Sequence, residues 1–141
     1  MTTKVKQLPT LIKTITQEEL NQYAQASGDY NPLHLDAGFA QTTPFGGIIA
    51  HGMLTLAFIS EMMLKAFGRP WLEGGSLKVR FKGAAYVGDE VETWGEVSKS
   101  ERLEQGQCLT CRVGVRNRES GQEIISGTAT VTTDSILSQS R

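Results

Sequence analysis

The sequence predicts an α+β fold: one long apolar helix beside a curled antiparallel meander. Three observations predict it. From about His51 to Phe67 the chain carries Met53, Leu54, Leu56, Ala57, Phe58, Ile59, Met62, Met63 and Leu64, and a helix with so little polar face is a buried one. Beyond residue 75 four segments alternate: Leu77, Val79 and Phe81; Val91, Thr93 and Val97; Leu109, Cys111, Val113 and Val115; Ile125, Ala129 and Val131. Period-two alternation gives one buried and one wet face, which suits an antiparallel sheet. Turn residues separate the segments at Gly88-Asp89, Glu104-Gln105-Gly106 and Ser120-Gly121.

The elements follow in order. Thr10 to Ile15 is a short, partly β-branched run and a strand candidate. Thr16-Gln17-Glu18-Glu19 fits a capping box, opening a helix from about Gln17 to Ala26 with Leu20, Tyr23 and Ala24 on one face. Gly28 is suited to end it in a left-handed C-cap. Asp29 to Gly47 has no clear period and holds Pro32, Gly38, Pro44 and Gly46-Gly47. It reads as a long ordered loop with a turn of helix near Ala37 to Ala40, and long loops in compact domains are usually functional or disordered. Gly68 and Pro70 stop the apolar helix. Neither an internal repeat nor a flexible linker is visible, so residues 1–141 read as a single domain.

Bulk properties narrow the function. A chain of 141 residues can bury roughly 68% of its unfolded surface and needs no disulfide or metal to hold a core. Its net charge of -1 gives no broad basic field for nucleic acid. The longest apolar run, Met53 to Phe58, is interrupted by Thr55 and is too short to span a bilayer. Met1 to Lys6 lacks the apolar stretch of a signal peptide, so a cytoplasmic address is expected. Cys108-Leu109-Thr110-Cys111 has the C-x-x-C spacing, yet it lies in a strand-like run. Residues three apart on a strand face opposite ways, so one inward and one outward cysteine is expected rather than a redox pair or zinc site.

The densest chemistry lies in Ser27-Gly28-Asp29-Tyr30-Asn31-Pro32-Leu33-His34-Leu35-Asp36. Only two histidines occur in the chain, and one is here. Asn31 is pushed toward extended geometry by Pro32, whose fixed φ lets the loop hold Asp29 and His34 in one relative pose. Asn31 can orient either through its amide. Desolvation in a pocket would make Asp29 a stronger base than in water, and the His34 imidazole can donate or accept a proton. Together they suit the activation of a water and the return of its proton. The same residues also fit a structural alternative, Asx-turns at Asp29 and Asn31 with His34 packed beside them.

A second segment, Phe45-Gly46-Gly47-Ile48-Ile49-Ala50-His51-Gly52-Met53, leads into the apolar helix. Gly52 falls at the helix start, where amide N–H groups lack partners and the dipole end is positive. That is a cradle for an oxyanion, although Gly52 would equally permit close packing. His51, beside a buried helix, reads more readily as a structural residue than as a catalyst.

At this point the chain resembles a known family. Ser27-Gly28-Asp29-Tyr30-Asn31-Pro32-Leu33-His34, with Ala40 downstream, is similar to the hydratase 2 motif of MaoC-like, (R)-specific enoyl-CoA hydratases. Ile49-Ala50-His51-Gly52-Met53 resembles their central helix start, and Val87-Gly88-Asp89-Glu90-Val91 their later turn. The resemblance runs from about Thr16 to Val131. It implies a hot-dog fold, a sheet wrapped around the helix, and a homodimer with an acyl-CoA tunnel near the subunit interface. It implies Asp29 and His34 as the catalytic pair, Asn31 as an orienting residue and Gly52 as the oxyanion donor. The implied reaction is reversible syn hydration of a trans-2-enoyl-CoA to an (R)-3-hydroxyacyl-CoA, in fatty-acid or polyhydroxyalkanoate-type metabolism. No metal or redox cofactor is called for. Ala26 and Ala84-Ala85 depart from the family pattern, the latter at the edge of the acyl pocket.

Met53, Leu56, Ser60 and Met63 are spaced to share a helix face near Gly52. They are candidates to line the acyl pocket, or plain core. Lys78, Arg80 and Lys82 are candidates for CoA phosphates, or a solvated strand face. Two other functions compete. A hot-dog thioesterase would want an acid on the central helix, where Glu61 is the candidate, and would leave Asp29 and His34 surplus. A non-catalytic acyl-CoA-binding subunit of a heterodimeric dehydratase would not need that pair intact.

Overall fold

The computed structural model describes residues 6–133; the segment read for a leader lies largely outside them. Strands β1 (Lys6–Gln7) and β2 (Ile12–Thr14) precede helix α1 (Gln17–Ser27), a 3-10 turn (Pro32–His34), α2 (Ala37–Gln41), α3 (Gly52–Phe67) and α4 (Arg69–Gly74). Strands β3 (Ser76–Phe81), β4 (Glu90–Arg102), β5 (Gln107–Asn117) and β6 (Glu123–Thr133) follow. The strands form one antiparallel sheet in the order β1-β4-β5-β6-β3, with β2 also on β4.

The alternation in the sequence becomes the inner face of this sheet. Val91, Leu109, Cys111, Val113, Val115, Ile125, Ala129 and Val131 are all buried, in one cluster with Ile59, Met62, Met63 and Phe67 of α3. A single sheet folded around a single helix is the hot-dog architecture. Cys111 points into the core, where burial raises its thiol to about 11, while Cys108 is half-exposed and both are free.

Three features differ from the sequence expectation. First, α3 is not buried all round: Met53 (57% exposed), Ala57 and Leu64 form an open apolar side. Composition reports how apolar a helix is, not which side the sheet covers. Second, α3 stops at Phe67 with Gly68 as its C-cap, as expected, but a further short helix follows at once. Gly68, at φ 70, redirects the chain, and Pro70 lies in the first turn of α4, where its missing N–H costs nothing. Trp71 of α4 is buried and donates its Nε1–H to the Ser60 hydroxyl at 2.9 Å. Third, β1 forms from a polar dipeptide that pairs with Val97 and Glu96 and carries no pattern of its own.

Gly127 sets how closely β3 and β6 approach. A Cβ there would stand 2.2 Å from the Lys78 carbonyl oxygen and 2.7 Å from Val79 Cα, backbone atoms that cannot rotate away. Gly127→Ala is expected to destabilise the fold by about 1–3 kcal/mol, the usual cost of overpacking. Gly74→Ala, with nothing within 4 Å, should stay within about 0.5 kcal/mol. Denaturant unfolding of both variants checks the contrast.

Candidate active site

The site begins where α1 ends. The Thr16 hydroxyl accepts the Glu19 N–H at 3.2 Å and starts the helix. Gly28, at φ 82, closes it by donating its N–H to the Ala24 carbonyl. From there the loop coils on its own side chains. Asn31 N–H donates to Asp29 Oδ1 at 3.1 Å, and Leu33 N–H donates to Asn31 Oδ1 at 2.9 Å. The Asx-turns are therefore present, and they shape the site. Asn31 orients Asp29 through its main-chain N–H, while its side-chain oxygen caps the Pro32–His34 turn. One carboxylate oxygen of Asp29 is engaged in this way, and the residue is exposed.

His34 is buried, 8% exposed. Its Nδ1 lies 2.8 Å from the Ile49 carbonyl. A carbonyl only accepts, so Nδ1 carries a proton, and in the neutral ring Nε2 presents a lone pair. The Ile49 carbonyl is fixed in turn by an antiparallel bridge between Ile49 and Tyr86. In that bridge Ala50 N–H donates to Ala85 at 2.7 Å and Val87 N–H to Ile48 at 3.2 Å. From α1, the Gln17 side chain donates to the His34 carbonyl at 3.0 Å.

His51, only 1% exposed, is the N-cap of α3. Its ring stacks on His34 with centroids 4.0 Å apart and planes 25° from parallel, and Tyr23 meets it edge-on at 4.8 Å. Nε2–H donates to the Asp29 carbonyl at 3.1 Å. Nδ1 is buried and has no partner. Burial holds the His51 pKa below its ordinary 6.5, partly opposed by the bond to Asp29. Gly52, the first residue of α3, is exposed at the helix mouth. A Cβ on it would stand 3.1 Å from the Phe81 ring, so its bareness keeps that ring close.

Asp29, His34 and His51 each offer an atom within 4.8 Å of the other two. Two hydrogen bonds of about 2.8 Å span such a gap, so one water can bridge Asp29 and His34. The same three side chains are the metal-capable cluster among the described residues. His34 Nδ1 is committed to Ile49 and His51 Nε2 to the Asp29 carbonyl, which leaves each ring one free nitrogen.

Of the proposed acyl-pocket residues, Met53 lies exposed beside Gly52 and Leu56 is half-buried. Ser60 accepts the Trp71 bond, and Met63 belongs fully to the core. Lys78 and Arg80 line a shallow depression with Ser126 and Thr128. A second depression lies among Thr14, Asp89, Glu90, Asn117 and Arg118. Neither includes Asp29, His34 or Gly52. Sequence reasoning missed Gln17 and Tyr23 as supports of the site. A polar residue in the first turn of α1 and a tyrosine on its inner face were the available signals.

A sheet around one helix, with a carboxylate and an imidazole near that helix's N-terminus, is a hot-dog domain with two acid–base side chains at the helix mouth. The chain belongs to the MaoC like domain family, whose sequence model matches residues 2–134. It is 32% identical over 128 residues to the (R)-specific enoyl-CoA hydratase of Rhodospirillum rubrum, covering 91% of this chain and 86% of that one. It is 36% identical over 106 residues to the 3-hydroxybutyryl-CoA dehydratase of Methylorubrum extorquens, covering 74% and 68%. Among solved structures, the (R)-hydratase from A. caviae involved in PHA biosynthesis superposes with a TM-score of 0.77 at 31% identity, covering 92% and 96%.

The depressed pKa of His51 has a consequence for stability. Below its ordinary 6.5 the unfolded chain binds a proton that the folded chain resists, so stability falls as pH drops through that range. Replacing His51 with Gln should remove this part of the slope. Unfolding free energies at pH 7.5 and 5.5 test it: the wild type should lose more on acidification than the variant, and equal losses would contradict the assignment.

Proposed function

We propose that the protein is a hydro-lyase that adds water reversibly to a trans-2-enoyl-CoA, giving an (R)-3-hydroxyacyl-CoA. The observation that carries this reading is the approach of Asp29 and His34 to within one water's span at the mouth of α3. The named activities of the relatives support it.

In this reading the thioester oxygen sits on the Gly52 N–H, where a helix start leaves the donor unpaired. One such donor contributes roughly 2.7–4 kcal/mol to a transition state. A water is held between the free oxygen of Asp29 and Nε2 of His34. Its oxygen bonds to C3 as the pair takes up its proton, and negative charge moves onto the thioester oxygen. The pair then delivers a proton to C2 and ends as it began. The substrate gains one OH and one H, and the chemistry calls for no metal or redox cofactor.

The functional unit is proposed to be a homodimer. The open apolar side of α3 and the exposure of Asp29 and Asn31 support a second copy that covers the tunnel and dries the carboxylate. Met53 and Leu56 then line the acyl path, with Ser60 and Met63 behind them. A cytoplasmic address belongs to the same proposal; among the described residues no helix is long and apolar enough to cross a membrane. The thioesterase alternative would rest on Glu61, but that carboxylate is paired with Lys13 at 2.8 Å.

Crotonyl-CoA tests the reading. The conjugated enoyl-thioester absorbance should fall on mixing, with no release of free thiol. Asp29→Ala and His34→Ala should each lower kcat by about 10²–10⁴-fold, the range of general acid–base catalysis, with the fold retained by circular dichroism. Thiol release would replace this reading with a thioesterase, and near-normal rates in either variant would remove that residue from the mechanism.

A further inference from the structure

The reaction above leaves one buried titratable group unused. His51 is buried more deeply than His34, yet packing alone does not account for it. Its Nδ1 is an acceptor with no partner, and a buried polar atom left unpaired is costly. An apolar side chain there would leave no such acceptor unpaired. What the imidazole supplies instead is a set of connections. Nε2–H reaches the Asp29 carbonyl across 22 positions of sequence. The ring lies flat against His34. The residue itself is the N-cap of α3, directly before Gly52.

We propose that His51 is a positioning residue: it ties the Asp29 main chain, the His34 ring and the Gly52 amide into one rigid constellation. The connections are specific to a neutral ring protonated on Nε2. The Asp29 carbonyl requires a donor, so the proton sits on Nε2 and Nδ1 keeps its lone pair. His34 is locked in the opposite tautomer by the Ile49 carbonyl. Two stacked imidazoles, each fixed by a backbone carbonyl, thus hold the His34 lone pair at Nε2. A proton on His51 would place a cation against His34. The ionisable groups packed around the ring are His34 and Asp29 from the loop and Tyr23 from α1.

This inference rests on the hydratase reading for its kinetic test, but not for its spectroscopic one. His51→Phe keeps the stacked ring and removes the N–H. His51→Gln keeps an N–H near the position of Nε2. For hydration of crotonyl-CoA, His51→Phe should lower kcat roughly 10- to 100-fold, the scale of a misplacement of about 1 Å. KM should stay within about twofold, because the residue acts on geometry rather than on ground-state binding. Its melting temperature is measured beside the rate, so that a loss of geometry is separated from a loss of fold. His51→Gln should recover most of the lost rate. A fast His51→Phe enzyme overturns the proposal. So does a loss of rate that follows a lower melting temperature in both variants, which would mark a purely structural role.

The chain has only two histidines, so long-range 1H–15N spectra of the free protein resolve both rings. At pH 7.5 His51 should be neutral with its proton on Nε2, and His34 should carry its proton on Nδ1. The His34 signals should shift in His51→Phe and return toward wild type in His51→Gln. A charged His51, a proton on its Nδ1, or unmoved His34 signals would overturn the proposal. If the wild type leaves crotonyl-CoA unchanged, the hydratase reading fails and these spectra alone decide the role of His51.

Discussion

The bond from His34 Nδ1–H to the Ile49 carbonyl, 2.8 Å long and buried, joins the two halves of the site. On one side is the loop that leaves α1 at Gly28; on the other is the strand-like entry to α3. The entry is rigid because Ile48 to Ala50 are bridged to Ala85 through Val87. The loop is rigid because Asp29 and Asn31 satisfy its amides. With the bond from His51 Nε2–H to the Asp29 carbonyl, the joining bond holds the carboxylate and the helix mouth in a fixed relation although they sit on separate elements. General acid–base chemistry needs reacting groups within hydrogen-bond reach, and this contact sets that distance.

The fold serves the same end by stiffness. Sheet and helix share one close-packed core, and interiors at such density resist small displacements. α3 is held along one side by the sheet and further on by α4, through Trp71 and Ser60. Its N-terminus can therefore stay bare at Gly52 while the rest of the helix is fixed. The opposite side of α3, with Met53, Ala57 and Leu64, is left uncovered by the sheet.

Much of this was legible in the sequence because the governing physics is local. Strand alternation gave most of the inner face, although Phe81, read as inward, is 52% exposed at the end of its strand. Thr16 and Gly28 marked both ends of α1, and the C-x-x-C pair fell inward and outward as strand geometry demands. The loop read equally well as an acid–base pair or as Asx-turns; the turns are present and pose Asp29, which is compatible with the proposed acid–base role. What was not legible depends on contacts distant in sequence. The stacking of His51 on His34 and its bond to Asp29 leave no local pattern. Nor does the side of α3 left uncovered, or the pairing of the polar dipeptide Lys6–Gln7. The short helix α4 was hidden because a proline after a glycine reads as a stop, although it also fits a helix start.

The central claim is that one water, held by Asp29 and His34 on a single face of the substrate, supplies both new groups. The most direct measurement is hydration of crotonyl-CoA in D2O, with the configuration of the product read by NMR and chiral analysis. The account predicts (R)-3-hydroxybutyryl-CoA carrying one deuterium at C2, on the same face as the new hydroxyl. An (S) product, deuterium on the opposite face, or free CoA in place of the hydroxyacyl thioester would contradict it.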